Sequence, residues 1–243
     1  MTLEHFASLY DALMEDAPYE SWITYASRHL KEGGDVVDVA CGTGTFTLML
    51  AEHGFNMAGA DLSQDMLTVA EDKVRQSSQT VPLYLQDMRE LSGFTELDGV
   101  TLFCDGINYL NKEEDVKRTF RKIALALKPG GVFLFDAHSP YKMEHIFDNQ
   151  LYGENEESLS YMWFCEPEDE PLSVRHSLTF FMKNKEGTYE RLDEEHYQRT
   201  FLPREYLFWL KEAGFDYIEI TGRFGEEELK DDDDRVFFKA VKK

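Results

Sequence analysis

Apolar positions along this chain follow three successive patterns. Phe6, Leu9, Tyr10 and Leu13 recur at helical spacing before Asp16-Ala17-Pro18. Trp22, Ile23 and Tyr25 mark a second helix from about Tyr19 to Leu30, stopped by Gly33-Gly34. Beyond that point short β-branched runs alternate with helices. Val36, Val37 and Val39 read as a buried strand, and an apolar helix over Phe46 to Ala51 ends at Gly54. Asn56 to Asp61 is a second strand, followed by a helix to about Gln76. Val81 to Gln86 is a third, with Pro82 near its start as suits an edge, and Gly99 to Cys104 is a fourth. Glu113 to Leu127 forms a helix with Val116, Phe120, Ile123, Ala124 and Leu127 on one face. Lys128-Pro129-Gly130-Gly131 ends it and leads into a fifth strand, Val132 to Asp136.

The period then falls to two between Ser158 and Thr200, with segments at Tyr161 to Glu166, Leu172 to Lys183 and Thr188 to Phe201 and a hairpin turn at Asn184-Lys185-Glu186-Gly187. A short helix from Tyr141 to Phe147 precedes them. The alternation of Tyr161 and Trp163, and of Phe180 and Met182, offers one apolar face. A helix from Tyr206 to Ala213, opened by Pro203, and two strands, Phe215 to Thr221 and Arg235 to Val241, close the chain. The fold expected is α/β, with a doubly wound, mostly parallel seven-stranded sheet, an antiparallel final pair and an inserted antiparallel β subdomain. The organisation expected is N-terminal helices at 1–34, an α/β core at 35–138, the insertion at 139–202 and completion of the core at 203–243.

Candidate chemistry concentrates after the first strand, at Asp38-Val39-Ala40-Cys41-Gly42-Thr43-Gly44. A dinucleotide fingerprint would place a glycine where Thr47 stands, and a phosphate loop would need Gly-Lys-Ser/Thr, which is absent. Asp38 would repel a pyrophosphate seated on the following helix N-terminus. A ligand with a cationic end reverses that objection. Asp38-x-Ala40-x-Gly42-x-Gly44 resembles the first motif of class I S-adenosylmethionine-dependent methyltransferases, whose cofactor carries an ammonium and a sulfonium. The family usually has glycine where Ala40 stands, and alanine there implies a slightly less close approach of the ligand. The succession of helix, Leu127-Lys128-Pro129-Gly130-Gly131 and apolar strand resembles the same family.

The resemblance implies a Rossmann-like core and a set of roles. The first two helices become a lid, with Tyr10 and Trp22 as cover residues; packing of both aromatics onto the domain is the alternative. Asp61, 17 positions past Gly44, stands near the spacing at which an acid meets ribose hydroxyls, with Leu62 beside it. It equally suits a helix start capped by Ser63. Met66 flanks the adenine or joins the core. Asp87 accepts from the adenine amino group and the Met88 amide holds a ring nitrogen. Cys104 and Asp105 floor the cofactor pocket, and Asn108 and Tyr109 orient the acceptor, unless Asn108 caps a turn and Tyr109 is core. The insertion covers the acceptor, and His138 and Tyr141 are the candidates for a general base, needed only if the acceptor arrives protonated.

Composition narrows the partners. The chain has 243 residues and a formal net charge of −22, from 47 acidic against 25 basic residues, with no basic stripe, which disfavours nucleic acid. Three isolated cysteines, Cys41, Cys104 and Cys165, form neither a disulfide framework nor a zinc cluster. The acidic run from Glu226 to Asp234 reads as a solvated loop; calcium is the rarer alternative and no metal is expected. No leader-like or membrane-length apolar run occurs, so a cytoplasmic protein without membrane association is expected. A homodimer remains open. The function expected is methyl transfer from S-adenosyl-L-methionine to nitrogen or oxygen of a small molecule. A non-catalytic S-adenosylmethionine-binding regulator and a nicotinamide-dependent oxidoreductase are the alternatives.

Overall fold

The structure is a computed structural model and describes residues 4–184 and 186–243. The chain opens with helices α1 (Glu4–Leu13) and α2 (Tyr19–His29). There follow β1 (Asp35–Val39), α3 (Thr45–Glu52), β2 (Asn56–Asp61), α4 (Gln64–Gln76), β3 (Leu83–Leu85), β4 (Leu97–Leu102), α5 (Glu113–Ala126) and β5 (Leu127–His138). The insertion holds β6 (Gln150–Asn155), β7 (Leu159–Pro167), β8 (Ser173–Lys183) and β9 (Tyr189–Arg199). Helix α6 (Pro203–Glu212), β10 (Phe215–Gly222), β11 (Glu227–Glu228) and β12 (Arg235–Lys242) complete it. The side chain of Phe6, and Lys185 in the hairpin turn, lie outside the described residues.

The main sheet has the order β11-β10-β12-β5-β4-β1-β2-β3, parallel from β3 to β5 and antiparallel over β12, β10 and β11. The seven expected strands are therefore joined by an eighth, the two-residue edge strand β11. β1 and β4 sit at the centre; β4 is buried along its whole length, as expected for a strand covered on both faces. One face packs against α5 and α6 through Phe120, Phe133, Phe135, Tyr206 and Phe238. The other packs against α2 and α3 through Trp22, Tyr25, Phe46, Leu50 and Phe237. Helix α5 buries Val116, Phe120, Ile123 and Ala124 at steps of three and four residues, and carries Glu113, Glu114 and Asp115 at its positive N-terminal end.

Two boundaries depart from expectation. β5 begins at Leu127 and not at Val132. Lys128-Pro129-Gly130-Gly131 is absorbed as an irregularity in the strand, with Gly130 at φ 78° and a register shift against β4. β6, which the periodicity did not reveal, is an exposed edge strand in which Gly153 interrupts any alternation. The segment expected as a helix over Tyr141 to Phe147 holds a five-residue wide turn, Lys142–Ile146.

The inserted strands form a four-stranded antiparallel sheet in the order β6-β7-β8-β9. Its inner face, with Tyr161, Trp163, Leu178, Phe180, Met182 and Leu192, packs on Leu9, Tyr10 and Leu13 of α1. The sheet thus roofs the N-terminal helix, which in turn covers the carboxyl ends of the parallel strands. No helix among the described residues is long and apolar enough to cross a membrane.

Candidate active site

The turn after β1 is set by backbone conformation. Ala40, Gly42 and Gly44 have φ 55°, 53° and 75°, three left-handed residues within five positions. Glycine adopts such angles freely, whereas alanine pays about 1–2 kcal/mol in steric strain. The usual glycine at the position of Ala40 therefore answers a backbone requirement as well as a ligand approach. A Cβ at Gly42 would meet nothing within 4 Å, so φ, not space, selects glycine there.

Asp61 holds the turn. Its two carboxylate oxygens accept from the Gly42 and Ser63 amides, each at 2.8 Å, and the Ser63 hydroxyl caps α4 by accepting from the Met66 amide. The helix-start reading of the Asp61 segment is thus met by the Ser63 cap. Burial pushes the Asp61 carboxyl up, while the Ser63, Gly42 and Leu62 amides pull it back down. A carboxylate that accepts one bond per oxygen retains lone pairs for a diol.

Asp38 lies beneath the turn, 4% exposed. The β1–β4 register sets Thr101 beside it, and its two oxygens accept from the Thr47 hydroxyl at 2.6 Å and the Thr101 hydroxyl at 2.8 Å. Burial raises its carboxyl to about 7 against the lowering effect of the two hydroxyls, and Asp61 adds to the rise. Asp38 lines a cavity with Tyr10, Tyr19, Ala40, Thr43, Phe46 and Cys104. Tyr10, proposed as cover, is there. Tyr19, Thr43, Thr45, Phe46 and Phe103 also line this cavity and were missed, because their residue types carry no signal of their own.

Trp22 departs from the expected cover role. It is 2% exposed, and its indole N–H donates to Asp136 at 2.7 Å. Asp136 and Asp105 share the Arg235 guanidinium, which also lies 5.2 Å over the Trp22 ring. The antiparallel register of β12 on β5 pairs Arg235 with His138 and so delivers the cation to this point. Cys104 and Asp105 take left-handed φ of 54° and 66°, a strained pair that turns the chain under the cavity. Burial would raise the Asp105 carboxyl, but Arg235, His138 and Lys142 outweigh it and hold Asp105 ionised.

His138 is 2% exposed, and burial pushes its imidazole well below the ordinary range, so it is neutral. Its Nε2 faces two acceptors, Gln198 Oε1 at 3.1 Å and Asp105 Oδ2 at 3.3 Å, and therefore carries the hydrogen. His176 completes the chain: Trp163 can only donate, so His176 Nδ1 accepts from it at 3.0 Å and Nε2–H donates to Gln198 Oε1 at 3.2 Å. Burial lowers His176 to about 4. His138 thus sits inside a fixed polar relay and not on an open surface. Asn108 departs from its acceptor role too. It is fully buried, with its amide donating to the Arg199 carbonyl at 2.9 Å and accepting from the His138 amide at 3.0 Å, which ties β5 to β9. Tyr109 is half exposed, with its hydroxyl 3.4 Å from His196 Nδ1. Tyr141 packs its ring 4.8 Å from that of His145 and does not line the cavity.

The adenine-side residues divide. Leu62 is exposed and does not line the cavity. Met66 packs with Leu9, Leu178 and Phe180 under the inserted sheet, the core reading of that residue. Asp87 accepts from Arg89 through the backbone amide at 2.8 Å and the guanidinium at 2.9 Å, which lowers its carboxyl, and Met88 packs on the main core.

Residues 36–131 match a methyltransferase domain family. A Geobacillus sp. protein provisionally named a methyltransferase is 45% identical over 247 residues, covering 100% of both chains. The chain belongs to the class I S-adenosylmethionine-dependent methyltransferases. An S-adenosylmethionine-dependent methyltransferase from Clostridium acetobutylicum, solved by crystallography, superposes with a TM-score of 0.88 at 29% identity over 98% of each chain. A glycine/sarcosine N-methyltransferase of Aphanothece halophytica is 28% identical, covering 99% of this chain and 89% of its own.

The methyltransferase cofactor is S-adenosylmethionine, and the donor set fits it. Asp61 keeps acceptor capacity for hydroxyls, the Asp38 carboxyl lines the cavity where a cationic ligand would favour its ionised form, and Tyr10, Tyr19, Phe46 and Phe103 supply aromatic walls. When bound, the cofactor supplies an electrophilic methyl group.

Proposed function

We propose that this methyltransferase acts on a nitrogen or oxygen of a small-molecule acceptor that enters between α1 and the inserted antiparallel sheet. The observation that carries the reading is the stacking of layers over the strand ends. Tyr10 lines the cavity while its helix packs beneath Leu178 and Phe180 of the insertion, so the cofactor pocket and the insertion share one wall. Such a closed arrangement favours a small acceptor, as does the glycine/sarcosine N-methyltransferase relative. The residues act by position and exclusion of water: Asp61 and the glycine turn orient one end, the lid covers it, and the Asp105–Arg235–Asp136 cluster fixes the floor. Calorimetric titration with S-adenosylmethionine, followed by transfer of labelled methyl to a small-molecule panel, tests the reading. Binding and transfer are expected; binding without transfer to any acceptor would favour a regulator.

A further inference from the structure

Asp38 and Asp61 stand at one turn with opposite surroundings. Asp61 accepts from the Gly42 and Ser63 amides, which have no lone pair to receive a proton, so its partners require the ionised form. Asp38 is bonded by two hydroxyls, those of Thr47 and Thr101, both fully buried. A hydroxyl donates or accepts as it rotates, so the same pair serves Asp38 with or without a proton. Asp38 lines the cavity, and among the described residues the ionisable groups around it carry no positive charge. They are Asp61 at the end of β2, Cys41 in the turn, Cys104 after β4, Tyr19 on α2 and, across the cavity, Tyr10 on α1. Burial keeps both thiols and both phenols neutral. Lys73, which donates to Thr43 and Thr45 of the cavity wall, is matched by Asp11 at 2.7 Å, and Arg235 is matched by Asp105 and Asp136. A carboxylate at position 38 would therefore be buried without a counter-ion, and its carboxyl is raised to about 7.

We propose that Asp38 holds a proton in the unliganded protein and releases it when the positively charged end of S-adenosylmethionine binds, so that cofactor binding and proton release are one linked step. The inference concerns the cofactor end and does not depend on the acceptor. In that step the Asp38 O–H bond breaks, its electron pair stays on oxygen and the proton passes to solvent, while no other bond changes. The negative charge thus exists in the site only when a cation is there to meet it, and the two threonine hydroxyls turn to donate to the new carboxylate. Below the folded value of Asp38 the ligand must drive off the proton, and above it the carboxylate is already formed. Affinity for the cofactor therefore rises with pH, by about tenfold between pH 6 and pH 8.

The test is calorimetric titration of the full chain with S-adenosylmethionine in buffers of different ionisation enthalpy, which counts the protons released. Release of about 0.8 proton is expected at pH 6.5 and under about 0.1 at pH 8.5. 5′-Methylthioadenosine, a neutral nucleoside thioether without the amino acid end, is expected to release none. Asp38→Asn reproduces the shape and hydrogen bonding of the protonated carboxyl; it is expected to abolish the release and to flatten the pH dependence of affinity. Asp61→Asn is the second variant and is expected to keep the release, because Asp61 is the carboxyl whose amide partners hold it ionised. If the Asp38 variant does not fold, the two ligands on the intact protein and the Asp61 variant decide. No proton released at pH 6.5, equal release with 5′-methylthioadenosine, release that survives Asp38→Asn, or release lost in Asp61→Asn would each overturn the inference while leaving the cofactor assignment standing. No binding of S-adenosylmethionine at any pH would overturn both.

Discussion

Lys73 Nζ, on the third turn of α4, lies 2.7 Å from the Asp11 carboxylate on α1 and also donates to the Thr45 hydroxyl at 2.7 Å and the Thr43 hydroxyl at 3.0 Å. The Thr43 hydroxyl donates in turn to Asp11 at 2.6 Å. One ammonium therefore ties the N-terminal helix to the residues that flank Gly44. Both partners are about a third exposed, so solvent screens the pair and its worth is about 1 kcal/mol. Lys73→Ala should weaken S-adenosylmethionine binding about fivefold and speed proteolysis within residues 4–18. An unchanged dissociation constant and digestion pattern would show that the lid is held without it.

Asp61→Ala removes the acceptor of the Gly42 and Ser63 amides together with the carboxylate facing the turn. Cofactor affinity should fall by about 1–3 kcal/mol, read by calorimetry. Asp61→Asn, which keeps an acceptor oxygen, should lose less.

Ala40 offers a stability test of its left-handed φ of 55°. Replacement by glycine relieves about 1–2 kcal/mol of strain and gives back about 0.4–1 kcal/mol through the unfolded chain. Ala40→Gly should therefore raise stability by about 0.5 kcal/mol, and Ala40→Val should lower it by about 2 kcal/mol or more because a β-branched residue tolerates this angle least. Chemical denaturation separates the three proteins.

Arg235→Ala would leave Asp105 and Asp136 buried together without their counter-ion and remove the cation over Trp22. A loss of about 3–5 kcal/mol is expected. Trp22→Phe, which deletes one donor to Asp136, should cost about 1–3 kcal/mol. A denaturation midpoint unchanged by either substitution would dismiss this cluster as the floor of the site.

The relay through His176 gives stability a pH dependence. Its imidazole is held near 4 when folded and titrates near 6.5 when unfolded, so between these values the unfolded chain binds the extra proton. The contribution is whole above about pH 6.5 and is lost progressively as pH falls toward 4, by about 3 kcal/mol, with His138 acting in the same sense. Asp38, raised to about 7, acts in the opposite sense: its folded form keeps a proton that the unfolded chain releases above about 3.8, so its contribution declines as pH rises. Subtracting the denaturation curve of His176→Gln from that of the parent isolates the histidine, and the difference should shrink between pH 7 and pH 5.

Local pattern sufficed for the parallel core. Val36, Val37 and Val39 had to be buried on both faces, the helical spacing of Val116, Phe120 and Ile123 could serve only an amphipathic helix, and Asp38-x-Ala40-x-Gly42-x-Gly44 joined strand to helix with a charge that excluded a pyrophosphate. Those features depend on neighbours within a few residues, where period and backbone angle are encoded. The assignments of Trp22, Asn108 and His138 depended on partners 114, 91 and 60 positions away, Asp136, Arg199 and Gln198, and nothing in their own surroundings distinguishes a cavity wall from a buried bond. Strand register decided those partners, because pairing β12 with β5 places Arg235 opposite His138 and pairing β1 with β4 places Thr101 opposite Asp38. Residue type thus determined which groups can ionise or donate, and tertiary packing determined which of them still face the cavity once their hydrogen bonds are satisfied.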